Sequence, residues 1–310
     1  MLSATQHAAV TSDAARPLQI LAGPGSGKTR VLTSRVAWLV RDSATPIAPE
    51  RCVVVTFTNR AANEMRARLE SMIGADRTRR LVLGTFHAVC VRFLRRWGAR
   101  CLGLDPRFTI ADTDDARRLL RDVDRDADAA LSAISRAKAH GWTPDELRAS
   151  GTHAPGSPGH AEHLALCRTY AAYQQQLRAS HALDFDDLLL LGVRLFREHP
   201  ELTAHIDHVL VDEFQDTNAV QYELLCRLSP HVSVVGDPDQ SIYSWRHADV
   251  RHIERMHLDF PGLHRVLLEE NYRSTPQILE AALRVMQQDP HRIPKGLYTA
   301  LASGPPVVVH

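Results

Sequence analysis

Lysine is almost missing from this 310-residue chain: Lys28, Lys138 and Lys295 stand against 34 arginines. One of the three lies in a glycine-rich turn, where a compact ammonium fits inside a ring of phosphate oxygens better than a planar guanidinium. Cysteine is scarce as well. Cys52, Cys90, Cys101, Cys167 and Cys226 are odd in number and lack metal-ligand spacing, which reads as free thiols in a reducing compartment. The 17 histidines include no His-Glu-x-x-His pattern and no Cys/His cluster, so no histidine metal centre is expected. A surplus of charge of either sign is absent, the net charge being +1, so any groove for nucleic acid must be local and built of arginines. There is no signal-peptide pattern and no apolar run of membrane length; Leu188–Val193 is too short and follows three acids in DFDD. With 44% hydrophobic and 24% charged residues, the composition is that of a soluble globular protein with one large core or two moderate ones.

What is present is a phosphate loop. Ala22, Gly23, Pro24, Gly25, Ser26, Gly27, Lys28 and Thr29 spell the Gly-x-x-x-x-Gly-Lys-Ser/Thr pattern. Before it, Leu18–Ala22 reads as a strand; after it, Arg30–Val40 carries apolar residues at helical spacing. Backbone amides of such a turn surround a β-phosphate, and the helix amino end adds partial positive charge. Lys28 reaches the β/γ oxygens, and Thr29 offers a hydroxyl to Mg²⁺.

Along the rest of the chain, Cys52–Phe57 and Leu81–His87 each repeat the order strand, small polar turn, helix. Three such units predict a parallel α/β sheet with ligands at the strands' carboxyl ends. The helix after Thr58 is expected to put Met65, Leu69 and Met72 on one stripe. From about Gly98 the pattern changes. Residues 109–140 read as helical, Thr143 caps a further helix with Pro144 just inside it, and 162–178 is helical again with Leu166, Tyr170 and Leu177 inward. Residues 98–185 are therefore expected to form an all-helical insertion. Strands resume within 208–216, 231–240 and 264–273, followed by a helix over 276–288 and a final strand over 307–309.

The chemical residues cluster after those strands. Asp212 and Glu213 end the apolar run VLVDE; Asp212 is the natural carboxylate partner of Mg²⁺, and Glu213 can orient and deprotonate an attacking water. In DEFQD, Gln215 and Asp216 are expected to couple the site to neighbouring loops. Gln240, in GDPDQ, would lie beside the γ-phosphate. Tyr243, Trp245 and Arg246 suit a stacking platform for single-stranded bases, or else fill core space. Phe57 and His87 extend that platform, while Thr56, Thr58, Asn59 and Thr85 can bond phosphates or sugars. Gln6, a surface amide if taken alone, lies upstream of the loop. In ENYRS, Arg273 is a candidate finger on the γ-phosphate or a plain surface arginine, and Tyr272 is available to stack on adenine.

Taken in order, LSATQHAAV, AGPGSGKTR, VTFTNRAANEMRARL, GTFH, LDFDDLL, VLVDEFQDTN, VVGDPDQSIYSWR and LEENYRST resemble the UvrD/PcrA/Rep-type superfamily 1A helicases across nearly the whole chain. The wording of ILAGPGSGKTRVLTSRVAWL and RIPKGLYTA looks most like the fungal anti-recombinase branch. The resemblance implies a RecA-like phosphate-loop domain driving a 3′-to-5′ DNA helicase and single-stranded DNA translocase of repair or recombination, with ATP and Mg²⁺ as cofactors. It gives Lys28, Thr29, Asp212, Glu213, Gln240 and Arg273 to catalysis, Gln6 and Tyr272 to adenine, and Arg30 to a nucleotide-adjacent basic position. Phe57, His87, Tyr243, Trp245 and Arg246 fall to DNA tracking.

It also implies a division into residues 1–97 and 186–267 as the two parts of a first motor domain, 98–185 as its inserted subdomain, and 268–310 as the start of a truncated second motor domain. One lobe has nothing to step against, so these 310 residues are expected to bind ATP without unwinding duplex. The implied partners are single-stranded DNA, 3′-tailed duplex DNA, and recombination or repair proteins; no membrane is implied. A nucleus is the expected location, with a bacterial cytoplasm as the alternative. Two other readings stay open: a non-catalytic ATP- and DNA-binding fragment, and a phosphate-loop transferase or kinase.

Overall fold

The structure, a computed structural model, describes residues 1–151, 157–242, 248–289 and 292–308. Its strands are β1 (Leu18–Ala22), β2 (Cys52–Thr56), β3 (Val82–Thr85), β4 (Thr109–Ala111), β5 (Ala182–Asp184), β6 (His208–Val211), β7 (Val232–Gly236) and β8 (His264–Leu268). The helices up to the middle of the chain are α1 (Ala4–Val10), α2 (Lys28–Ala37), α3 (Asn59–Ile73), α4 (Ala75–Arg80), α5 (Phe86–Leu102), α6 (Thr113–Arg121) and α7 (Ala127–Ala139). They are followed by α8 (Pro144–Ala149), α9 (Pro158–Ala179), α10 (Phe185–Glu198), α11 (Ala219–Leu228), α12 (Arg251–Asp259) and α13 (Pro276–Met286). The chain divides into two compact units, one of residues 1–85, 203–217 and 228–310, the other of 86–202 and 218–227.

The first unit holds a six-stranded sheet in the order β3-β2-β6-β7-β1-β8, every neighbouring pair parallel. The sequence explains the order of burial. The inner strands β1, β2, β6 and β7 are apolar-rich runs buried at every position, as strands covered on both faces must be. The two edges differ: β3 alternates buried and half-buried, and β8 is mostly half-exposed. The core beside the sheet comes from Val31, Leu32, Val36 and Leu39 of the segment after the phosphate loop and from Met65 and Leu69 of α3. Arg35 is buried in that core; its guanidinium donates to Ser233 Oγ at 2.7 Å and to the carbonyls of Val10 and Ser12 at 3.0 and 2.8 Å. Those three bonds satisfy a charge that burial alone would make costly.

The second unit packs Ala116, Leu120, Ile134, Leu147, Tyr170, Tyr173 and Leu177 into its own core. A buried polar knot lies beside it. Lys138 Nζ meets Asp184 at 2.6 Å and Asp187 at 2.7 Å, and Tyr173 donates to the same Asp184 oxygen. Asp184 also caps α10 in a reciprocal box with Asp187, so the acids of the LDFDD run serve capping and ion pairing together.

Several expectations are corrected in detail. Residues 98–185 are not wholly helical: β4 pairs in parallel with β5 over three residues, too short a run for periodicity to reveal. The helix expected over 30–40 begins at Lys28 and passes into a π-helical turn, Trp38–Asp42. On α3 the stripe runs through Ala62, Met65, Leu69 and Ile73, with Met72 only half-buried. Val307 and Val308 lie in no strand, and Val309 falls outside the described residues. All five cysteines are free thiols.

Candidate nucleotide site

Three adjacent strands deliver the site. β1 neighbours β7 and β7 neighbours β6, so the turns after all three open at one place on the sheet's carboxyl edge. After β1, Gly25 and Gly27 take φ values of 66° and 84°, in the left-handed region that glycine enters without steric cost. A Cβ on Gly25 would come within 2.7 Å of Arg273 Cβ, so the turn is also tight in space. The strap after β8 braces it. Asn271 Nδ2 donates to the Pro24 carbonyl at 2.6 Å, Tyr272 N–H to the Gly25 carbonyl at 3.0 Å, and the Gly23 N–H to the Leu268 carbonyl at 3.0 Å. Ser26 Oγ closes the turn on the Gly23 carbonyl at 2.7 Å.

Lys28, its side chain 11% exposed, points to Glu213 Oε2 and Gln240 Oε1, each at 3.2 Å. Thr29 Oγ1 lies 3.5 Å from Asp212 Oδ2. The residues expected to act on phosphate and metal therefore meet within hydrogen-bond reach. Burial, with the adjacent Glu213 adding to it, raises the Asp212 carboxyl to about 6, against the opposing pull of Lys28 and Thr29. Glu213 occupies the left-handed region at φ 49°, a costly place for a side chain with a Cβ. That turn carries its carboxylate round to Lys28. Gln215 makes the link its position suggested: Nε2 donates to Glu213 Oε2 at 3.0 Å, and Oε1 accepts from Asp237 N–H at 2.9 Å.

A hollow of about 290 Å³ is lined by residues 25–30 together with Arg68, Glu213, Gln240 and Arg273. A larger cleft of about 550 Å³ adjoins Thr29, Phe57, Thr58, Arg68, Asp212, Glu213 and Gln240. Arg68 lines both; it lies within the stretch VTFTNRAANEMRARL, but no role falls to it from the sequence. Its signal lies on the polar face of α3, where Ala61, Glu64 and Arg68 follow one another at helical spacing along the cleft wall. For a divalent cation the structure provides one hydroxyl, Thr29, and one buried carboxylate, Asp212. That donor set suits Mg²⁺, which keeps waters and takes its remaining oxygens from phosphates. No group of three or more His, Cys, Asp or Glu that could hold a metal occurs among the described residues.

Gln6 and Tyr272 line a small separate hollow of about 60 Å³ with Ser3, Ser26 and Tyr298. Gln6 closes the capping box of α1 and donates to the Ser26 carbonyl at 2.9 Å; the Tyr272 hydroxyl donates to Glu270 at 2.6 Å. Arg30 donates to the Met1 carbonyl at 2.8 Å. Thr58 caps α3 by accepting from Ala61 N–H, and Thr56 Oγ1 donates to the Thr58 carbonyl. Asn59 begins α3, and Thr85 ends β3. His87 belongs to the other unit, where its ring meets Phe185 edge-on at 5.8 Å and burial lowers its imidazole to about 4. Tyr243, Trp245 and Arg246 lie outside the described residues.

A parallel sheet whose first strand runs into a glycine turn, with acids after the neighbouring strands, defines a phosphate-loop α/β domain. Over residues 2–261 the chain matches the UvrD/REP helicase N-terminal domain, and it belongs to that family. It is 41% identical over 304 residues to a protein of Leuconostoc citreum named ATP-dependent DNA helicase PcrA, an alignment spanning 93% of this chain and 39% of that one. It is 40% identical to proteins of the same name from Staphylococcus aureus and Staphylococcus epidermidis, again over 93% of this chain and 40% of theirs. The chain thus spans about 40% of the length of the curated relatives it matches. These relatives are bacterial, so the fungal branch and the nucleus draw no support from them.

Proposed function

We propose that this chain is the nucleotide-binding lobe of an ATP-dependent DNA helicase that translocates 3′ to 5′ along single-stranded DNA in repair or recombination. What carries the reading is the meeting of Lys28, Thr29, Asp212, Glu213 and Gln240 at the ends of three adjacent strands. In this reading the amides of the glycine turn and Lys28 take the β/γ-phosphates, and Arg273 and Arg68 face the γ end. Thr29 and Asp212 would hold Mg²⁺, which would supply charge neutralisation to the β- and γ-phosphates. Glu213 exchanges its contact with Lys28 for the attacking water, accepting the water's proton on its carboxylate. Gln6 and Tyr272 take the adenine.

Phe57, Thr58 and His87, with Tyr243, Trp245 and Arg246, are assigned to DNA tracking. Residues 98–185 serve as an inserted subdomain and 268–310 as the lead into a second lobe. Single-stranded and 3′-tailed duplex DNA are the partners, together with repair or recombination proteins, and a bacterial cytoplasm is the location. The test is ATP turnover with and without poly(dT). Stimulation by poly(dT), abolished by Lys28→Ala, supports the reading; robust hydrolysis indifferent to DNA overturns it. The 310 residues alone are expected to show no strand separation on a 3′-tailed duplex.

A further inference from the structure

Two of the three lysines have been placed; the third, Lys295, is completely buried. Its ammonium binds Asp237 and lies 3.1 Å from Asp239 Oδ2, which also accepts from Arg292 Nε and Nη2 at 3.1 and 3.0 Å. These acids belong to the GDPDQ turn. Asp237 Oδ2 accepts from Gln240 Nε2 at 2.6 Å, and Gln240 Oε1 in turn accepts from Lys28 at 3.2 Å. The chemistry of each partner fixes the orientation: a carboxylate only accepts, so Gln240 must give it the NH₂ end and keep its carbonyl for the lysine. The strand-like segment holding Lys295 also touches the phosphate loop. Tyr298 pairs with Glu270, Gly296 N–H donates to Glu269, and Leu297 crowds Gly23.

We propose that Lys295 is a positioning residue for the nucleotide site, acting through Asp237 to hold Gln240 so that its carbonyl steers Lys28 toward the end of a triphosphate. This inference rests on the nucleotide reading above and extends it to the segment 292–298. Paired with Lys295, Asp237 is held in place, and the amide of Gln240 that donates to it cannot turn. Without that anchor Gln240 rotates freely, and Lys28 loses one of its two acceptors and keeps only Glu213. A diphosphate, held by the loop amides, feels the change little. A triphosphate, which depends on the direction of Lys28 at its far end, feels it more.

The test compares binding of Mg·ADP and of a non-hydrolysable Mg·ATP analogue to the 310-residue chain, by displacement of a fluorescent ADP. Lys295→Met and Asp237→Asn attack the same contact from its two ends. Asp237→Asn leaves Lys295 paired with Asp239, so it reports even where Lys295→Met does not fold. Both are expected to lower the preference for the triphosphate about fivefold, the scale of one ordinary hydrogen bond, with ADP affinity kept within about twofold. In a Gln240→Ala background neither should lower it further. An unchanged preference in the folded variants, or equal loss of both nucleotides, overturns the inference alone. A wild-type chain that binds neither nucleotide overturns the nucleotide reading and the inference with it.

Discussion

Asp212→Asn should make the free protein more stable while depriving it of metal-dependent nucleotide binding. The carboxyl is buried beside Glu213 and raised to about 6, against about 3.9 in an unfolded chain. A raised carboxyl binds its proton more tightly when folded. Its effect on stability is therefore absent below the unfolded value, grows as pH rises between the two, and is fully unfavourable above about 6. At roughly 1.4 kcal/mol per unit, the ionised side chain costs the ligand-free fold about 3 kcal/mol near pH 7.5 and about half that at pH 5.

Asparagine keeps the shape and can accept from Glu213 N–H while donating to Thr29, so it removes the charge without orphaning either partner. Urea unfolding at pH 5 and 7.5 should show the variant ahead by those amounts. Adding Mg²⁺ and ATP should reverse the order, since bound ligand stabilises only the chain that holds it. An advantage that does not grow with pH, or a variant less stable than wild type at pH 7.5, would refute the argument.

Glu213→Gln should cut ATP turnover by about 10²–10⁴-fold, the usual contribution of a positioned base. Equilibrium binding of Mg·ATP should hold or tighten, because the ion pair that occupies Lys28 is gone; weaker binding with normal turnover would exclude Glu213 as the base. In the second unit, Lys138→Met leaves Asp184 and Asp187 buried without a countercharge and should cost about 3–5 kcal/mol. Following the helical signal through denaturant would show it, and combining the change with Asp184→Asn and Asp187→Asn should recover much of the loss.

The phosphate loop, the sheet class and the two acids after β6 were legible because each is local. A glycine spacing, a run of apolar β-formers or a strand-end acid pair carries its meaning within a dozen residues. The strand β4 escaped because three residues against a distant partner leave no period to read. Among the site residues, Gln240 was legible from its motif, whereas its orientation was not: that depends on Asp237, and Asp237 on Lys295 more than 50 residues on. Arg68 was hidden for a similar reason, since a helix's polar face is ordinarily solvated and only the fold shows which part of it borders a cleft.

By itself the sequence determined that a glycine turn would lead into a helix beginning with a lysine, that apolar strands would stack in parallel, and that Asp212 and Glu213 would stand at a strand end. Tertiary structure decided the rest. It placed β7 between β1 and β6, so that the two motifs flank Gln240. It buried Asp212 until its acidity fell, and it drew all three lysines to glutamate or aspartate carboxylates. The reason is physical: local geometry follows from neighbours in the chain, whereas burial, charge pairing and the direction of an amide follow from whatever the fold brings alongside.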